Sequence, residues 1–332
     1  MTASPPLTGP LVSIIIPCYN AERWVGEAID SALAQTYRRI EVVVVDDGST
    51  DGSLGVIDRH RGRVTAESGP NRGGNAARNR GLQLSHGEFI QWLDADDYLL
   101  PDKVERQVQH LQEQGADVVF GDWRDEHVDA NGDRRPGPVV SAETSDVLFD
   151  LLRGRWTPHH AYLMRRRVVE AVEGWDEALP VLQDPDLLIR ICIGGAKFVY
   201  QSGCHAVYRR HGDGTQSVRY RPHYPVVYAG IMERAGALLE TAGLLTVRYR
   251  RALALSHFHV ARNFYETDRD AYERHVRRTL ELDPAFEPRE SRLFNAVAGL
   301  VGLGPAERAA VAKRRWLRGL RGLVRGTRRG AR

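Results

Sequence analysis

Lysine is almost missing from this chain. Forty-six of its 332 residues are basic, yet only Lys103, Lys197 and Lys313 are lysines. An early glycine-rich loop closing on a lysine, as triphosphate-cleaving nucleotidyl transfer would call for, therefore has no candidate. Cysteine is just as scarce. Cys18, Cys192 and Cys204 are too few and too scattered for a disulfide framework or a zinc site, and Cys18 and Cys192 sit in apolar stretches that suit small buried hydrophobes in a reducing compartment. Long apolar runs are absent too. None approaches the ~20 residues of a spanning helix, and the late run from Ala296 to Leu303 is short and holds two glycines. The first ten residues lack a basic start and an apolar core, so no secretory signal is expected. A cytoplasmic protein follows, peripheral to the cytoplasmic face of a membrane at most. The formal net charge of +3 gives no reason to expect nucleic acid as a partner.

What is present is a 42% hydrophobic composition, enough for a core, over a length that exceeds one ordinary domain. Leu11 to Ile16 and Ile40 to Val45 are short, β-branched and apolar throughout, as strands buried on both faces require. Between them Trp24, Val25, Ala28, Ile29, Ala32 and Leu33 share a helical face, with Asn20 as the expected cap. A short helix near Leu54–Arg59, a helix from Gly73 to Leu84 and a strand at Phe89–Leu93 continue the alternation. This is the pattern of a mostly parallel α/β sheet with helices on its faces. Further on come a helix from Pro101 to Gln114, a strand at Asp117–Gly121, a polar loop at Asp129–Pro138, and helices at Ser145–Leu152, Arg165–Val172 and Leu187–Ile193. Edge strands are expected at Lys197–Tyr200 and His205–Tyr208. After Pro222 strand signals stop. Leu253, His257, Val260, Ala261 and Phe264 form one helical stripe, and Tyr272, Val276 and Leu280 the next.

Asp94 and Asp96 follow the strand that ends at Leu93. On an extended backbone residues two apart point the same way, so both carboxylates would stand at the strand's C-terminal edge, where open α/β sheets bind ligands. Two carboxylates plus substrate phosphates are a common setting for Mg²⁺ or Mn²⁺. Turn or cap duty is the plainer alternative.

The order of several segments then becomes informative. Val12-Ser13-Ile14-Ile15-Ile16-Pro17-Cys18-Tyr19-Asn20 is followed by Val45-Asp46-Asp47-Gly48-Ser49-Thr50-Asp51, by Gly73–Gly81, and by Leu93-Asp94-Ala95-Asp96-Asp97. Gly174-Trp175-Asp176-Glu177, Asp184-Pro185-Asp186-Leu187 and Tyr208-Arg209-Arg210-His211 come later. Together they resemble a family 2 glycosyltransferase of the GT-A fold over roughly residues 11–220. The resemblance implies an inverting hexosyltransferase-like enzyme using a nucleotide-diphosphate sugar and a saccharide, lipid-linked or other hydroxyl acceptor. It implies that Pro17 and Tyr19 line the base pocket and that Asp47, beside Asp46, accepts from the base's ring N–H, which suits UDP or dTDP. Arg78 and Asn79 match the helix near the donor. Asp96 matches the main metal ligand, Asp94 the ribose or metal contact, and His211 a late metal or diphosphate contact. The general base comes from a Glu-Asp pair that reads Gln183-Asp184 here, so Asp184 is the candidate and Gln183 a departure. For each residue a plainer role remains open: turn and cap aspartates at 46–51, a surface arginine at 78, helix capping at 184 and 186.

His159 and His160 precede a strand at Ala161–Met164 and would edge the acceptor site, while Trp156 and Trp175 would stack on a sugar or pack in the core. His257 and His259 diverge on their helix and are not a metal pair. The expected organisation is a catalytic domain at 1–220, with a nucleotide-sugar half at 11–100 and an acceptor half at 101–220. A helical region at 221–312 follows, then a tail at 313–332. That tail has nine basic and no acidic residues. With Trp316, Leu320, Leu323 and Val324 at helical spacing it reads either as a membrane-surface helix or as a solvated end loosened by Gly319 and Gly322. A sugar nucleotidyltransferase and a non-catalytic nucleotide-sugar-binding protein are the competing readings.

Overall fold

The protein is described here by a computed structural model covering residues 9–212, 220–288 and 291–313. The basic tail beyond Lys313 lies outside the described residues. The chain divides into two compact units, one ending at Val227 and the other beginning at Tyr228.

The first unit opens with β1 (Val12–Cys18), α1 (Val25–Leu33), β2 (Ile40–Asp46), α2 (Ser53–Asp58), β3 (Thr65–Ser68), α3 (Gly74–Leu84) and β4 (Phe89–Trp92). These strands pair in parallel in the order β3-β2-β1-β4. Their side chains alternate between two covered faces. Ile14, Ile16, Val42 and Val44 pack with Val25, Ala28, Ile29 and Ala32 of α1, while Ile15 faces α3. A Cβ on Gly81 would collide with Ile15, so glycine here allows the helix to close on the sheet. Both faces being covered explains why the strand sequences are apolar without a break.

The chain continues through β5 (Tyr98–Leu99), α4 (Lys103–Glu113), β6 (Val118–Val128), β7 (Arg134–Val140), α5 (Val147–Leu152), β8 (Tyr162–Arg165), α6 (Arg166–Glu170), α7 (Gln183–Ile193) and β9 (Phe198–His211). The sheet extends as β4-β8-β6-β9-β5 with β7 on β6, and here parallel and antiparallel pairs mix. Two expectations are corrected. The loop expected at Asp129–Pro138 is the tip and first half of a hairpin: β6 runs on to Val128 and β7 starts at Arg134. β7 pairs only with β6, and such an edge tolerates Pro136 and Pro138. The two edge strands expected at 197–208 are one strand, β9, held between β6 and β5. Gly203, at φ +110°, lies where its register slips past β6, and that break reads in the sequence as two strands.

The second unit is helical among the described residues: α8 (Tyr224–Thr241), which starts just ahead of the division, α9 (Val247–Phe264), α10 (Arg269–Leu282) and α11 (Arg292–Val301). α9 buries Leu253, His257, Val260 and Ala261 as expected. α10 is rotated from expectation. It buries Tyr272, His275, Thr279 and Leu282, and Leu280 is exposed. Polar contacts account for that rotation: His275 Nδ1 lies 3.1 Å from His257 Nδ1, and the Thr279 hydroxyl donates to Ala254 O. No helix among the described residues is long and apolar enough to cross a membrane.

Candidate active site

The acidic corner after β4 is a turn. The Asp97 N–H donates to Asp94 O at 3.1 Å, so the extended-strand argument for Asp94 and Asp96 does not hold. The turn gathers more than alternation would: one ligand oxygen each of Asp94, Asp96 and Asp97 lie within 4.8 Å of one another. β9 closes the corner. The Arg209 N–H donates to Asp97 Oδ1 at 2.7 Å, the Arg209 guanidinium donates to Asp96 O at 2.8 Å, and His211 Nε2 lies 3.0 Å from Asp96 Oδ2. Burial, together with the charges of Asp96 and Asp94, raises the pKa of Asp97 well above the usual carboxylate range. Asp94 is the opposite case. Burial works against its charge, but His159 and Arg78 outweigh it and hold its pKa far below the usual range. Crowded hard-oxygen donors of this kind fit a divalent cation. Asp96 has the carboxylate facing outward most, since Asp94 Oδ1 is taken up by Arg78 at 2.6 Å and by His159 at 3.3 Å.

His159 joins this corner to the candidate base. Its Nδ1 donates to Asp184 Oδ2 at 3.1 Å while its Nε2 faces Asp94. Burial disfavours the charged ring, yet the two carboxylates outweigh it and the pKa rises to about 10. The ring is therefore an imidazolium at neutral pH. Asp184 Oδ1 is buried and has no hydrogen-bond partner. The residue sits in the first turn of α7, whose N-cap is Leu182 in the left-handed region at φ +61°. Neither Asp184 nor Asp186 caps that helix. Asp186 pairs with Arg190 at 2.8 Å instead.

A polar cage holds the short turn that carries His159. Gln91 donates to His160 O at 3.0 Å, Gln107 to Ala161 O at 3.0 Å, and Lys103 to Tyr162 O at 3.0 Å. All three side chains are buried. One of the three lysines thus stands under the sheet, bonded to Gln91 and Gln107 as well. Burial pushes its pKa well below the ordinary lysine value. Sequence reasoning placed His159 at the acceptor edge but missed this support, because Lys, Gln and Gln on a helix and a strand read as surface residues.

At the other end of the parallel strands, β1 and β2 finish in register with Cys18 beside Asp46. Pro17 is buried and Tyr19 is 45% exposed at the rim. Asp47 accepts from the N–H groups of Arg72 and Gly73 at 2.7 and 2.8 Å. Asp46 accepts from Ser68 at 2.7 Å through one oxygen, and the other is buried without a partner. The open acceptor at this edge is therefore on Asp46, whereas the sequence pointed to Asp47. Asn20 does not cap α1. Its carbonyl oxygen accepts from the Thr50 N–H and ties the two strand ends together.

Arg78 reaches Asp94, as described, but Asn79 does not face this corner. Its amide donates to Trp175 O and Glu177 and accepts from the Trp175 N–H, so it fixes the loop leading toward α7. Asn75 does the same at Asp176 O and Leu179 O. Trp175 is 2% exposed, edge-on to Trp92 and under Arg78, which makes it a core residue with no open face. Gln183 lines a small cavity of about 160 Å³ with Asn75, Glu177 and Tyr220, and its Oε1 is buried and unpaired.

Residues 13–172 match the family model for glycosyl transferase family 2. An uncharacterized glycosyltransferase of Rickettsia bellii (strain RML369-C) is 39% identical over 191 residues, covering 55% of this chain and 27% of that protein. Hyaluronan synthase of Pasteurella multocida is 32% identical over 232 residues, covering 66% of this chain and 23% of that protein. The crystal structure of S. aureus TarS 1-349 in complex with UDP-GlcNAc is similar with a TM-score of 0.68 at 18% identity, covering 92% of each chain. The fold is thus the GT-A type, a mixed sheet flanked by helices. Through residues 13–172 the chain belongs to glycosyltransferase family 2. It spans only about a quarter of the length of these two curated relatives.

Proposed function

We propose that this chain is an inverting, metal-assisted glycosyltransferase. It moves a sugar from a nucleotide-diphosphate sugar, UDP- or dTDP-linked, to a hydroxyl of a saccharide or lipid-linked acceptor in envelope polysaccharide or glycoconjugate synthesis. The observation that carries this reading is the line Asp96/Asp94–His159–Asp184. It connects a cluster of carboxylates to a separate carboxylate with one unpaired oxygen. The UDP-GlcNAc bound to TarS is consistent with the donor class.

In this reading Asp96, Asp94 and His211 hold Mg²⁺ or Mn²⁺, which supplies positive charge for the leaving diphosphate. Pro17, Tyr19 and the Asp46–Asp47 pair hold the base. Asp184 Oδ1 takes the proton from the acceptor hydroxyl. The acceptor oxygen bonds to the anomeric carbon on the face opposite the diphosphate, the bond from that carbon to the diphosphate oxygen breaks, and the configuration inverts. His159 holds the other oxygen of Asp184, so that the free one is turned toward the acceptor. The basic tail adds peripheral contact with an anionic membrane.

The test is nucleotide-diphosphate release from UDP- and dTDP-sugars. EDTA and Asp96→Ala should abolish it. Asp184→Asn should lower kcat by about 10²–10⁴ while a nucleotide diphosphate still raises the melting temperature. Full activity in Asp184→Asn would remove the base assignment.

A further inference from the structure

The larger of two cavities in the first unit, about 300 Å³, is built wholly from residues between Phe120 and Tyr162. One wall is the hairpin that the sequence concealed, with Trp123 on β6 and Val140 at the end of β7. The other is the stretch around Trp156. Trp123 and Trp156 lie nearly parallel, 21° apart with centroids at 6.0 Å, and Tyr208 stands edge-on to both at 6.2 Å. Trp156 is 43% exposed, and Val139 and Val140 beside it are exposed as well. Large apolar side chains left open together mark a binding surface.

The chemistry of the lining narrows the ligand. Hydroxyls of Ser141, Thr144 and Thr157 stand among the aromatic faces, and the Asp150 carboxylate is matched by Arg155 at 3.4 Å. That combination offers no unpaired charge for a phosphate. Nor can a flat ring enter between the tryptophans, because two stacking gaps of ~3.5 Å need more than the separation present. One open aromatic face with hydroxyl-bearing neighbours suits a pyranose, whose C–H face is apolar and whose rim carries hydroxyls.

The cavity also lies next to the candidate base. Tyr208 stacks on His160 at 8° and 5.9 Å, and Thr157-Pro158 lead straight into His159, the partner of Asp184. Three residues of chain span at most about 10 Å. We propose that this cavity is an acceptor subsite that holds a sugar behind the reacting hydroxyl, with Trp156 as its platform, so that the acceptor is an oligosaccharide rather than a monosaccharide. The proposal rests on the glycosyl-transfer reading above.

The experiment presents the full chain, with UDP and Mn²⁺, to an array of neutral oligosaccharides from single sugars upward. Wild type should retain chains of two or more sugars and not single sugars. Trp156→Ala should weaken retention about tenfold, roughly 1.4 kcal/mol, and Trp156→Phe should restore most of it. A tetrasaccharide retained on the array should also shift the tryptophan emission of wild-type protein, a measurement that needs no variant. A blank array, or retention indifferent to Trp156→Ala, overturns the subsite. Hydrolysis of UDP-sugar by wild type without acceptor is measured in parallel. A blank array with hydrolysis intact rejects the subsite alone, whereas the absence of both hydrolysis and nucleotide binding rejects the transferase reading.

Discussion

From Val12 to Trp92 the strands are short, parallel and apolar on both faces. From Val118 to His211 two long strands, β6 and β9, carry Asp122, Glu126, His205 and Arg209 into buried positions. The first stretch positions its site residues by register alone: β1 and β2 end side by side, and whatever follows them lies at that edge. The second depends on polar contacts across long sequence separations. Arg209 bonds to Asp96 O 113 residues away, and Gln91 to His160 O 69 residues away. Apolar strands thus set where the corner is, and buried polar groups set how its carboxylates point.

Arg209 gives the sharpest way to break that contrast. It is fully buried, pairs with Glu27 at 2.8 Å and Glu126 at 3.3 Å, and lies between the rings of Trp24 and Tyr98. Removing one partner of a buried charge set leaves the others uncompensated, at about 3–5 kcal/mol. Arg209→Met should therefore lower the unfolding free energy by that order in urea titrations. A loss below 1 kcal/mol would mean that the polar seam does not hold the corner.

The helical unit provides a control: a buried polar pair without countercharge of comparable strength. Burial lowers the pKa of His257 to about 4, with the neighbouring His275 and Arg278 adding to the effect. Burial lowers His275 as well, helped by Arg274 and opposed by Glu233. Both rings are neutral in the folded chain. Below the unfolded value of about 6.5 the unfolded state binds more protons, so stability is whole above that pH and falls as pH drops toward 4. For His257 alone the loss amounts to roughly 3 kcal/mol. Urea titrations of the full chain at pH 7 and pH 4.5 should show this fall, and His257→Gln should reduce it. His159, with two carboxylates beside it, has the opposite shift. The same residue type therefore reports whether burial came with a countercharge.

Lys103 tests the cage. Lys103→Met should leave acceptors at Gln91 and Tyr162 O unpaired and cost about 2 kcal/mol. It should also lower kcat more than donor KM, because the turn it supports carries His159. Equal melting temperatures and equal kcat would show that Gln91 and Gln107 suffice.

These contrasts also explain what the sequence revealed. The parallel strands, α1, α3 and the acidic corner were legible because an apolar run between turn residues has few other uses. β7 was not, since Arg134-Arg135-Pro136-Gly137-Pro138 has the composition of a loop, and only pairing with β6 makes it a strand. Asp94, Asp96 and His211 could be named from their motifs, and the structure brings them together. The open oxygen on Asp46, the diversion of Asn79 and the double pairing of His159 could not be read, because each depends on partners distant in the chain.

The smallest expected effect lies on the outer edge of the parallel half. Arg80 on α3 makes a two-pronged bond to Glu67 on β3, at 2.6 and 2.7 Å, as well formed as any contact of Arg209. Both side chains are about 40% exposed, however. In water the Coulomb gain is small and is offset by the entropy of holding two long side chains, so exposed pairs contribute about 0–1 kcal/mol. Arg80→Gln should shift the urea midpoint little, and less still in high salt, where the pair is already screened. The two arginines share their geometry and differ in burial. A cost for Arg80→Gln approaching that of Arg209→Met would mean that bond geometry, rather than withdrawal from water, sets the strength of the polar seam.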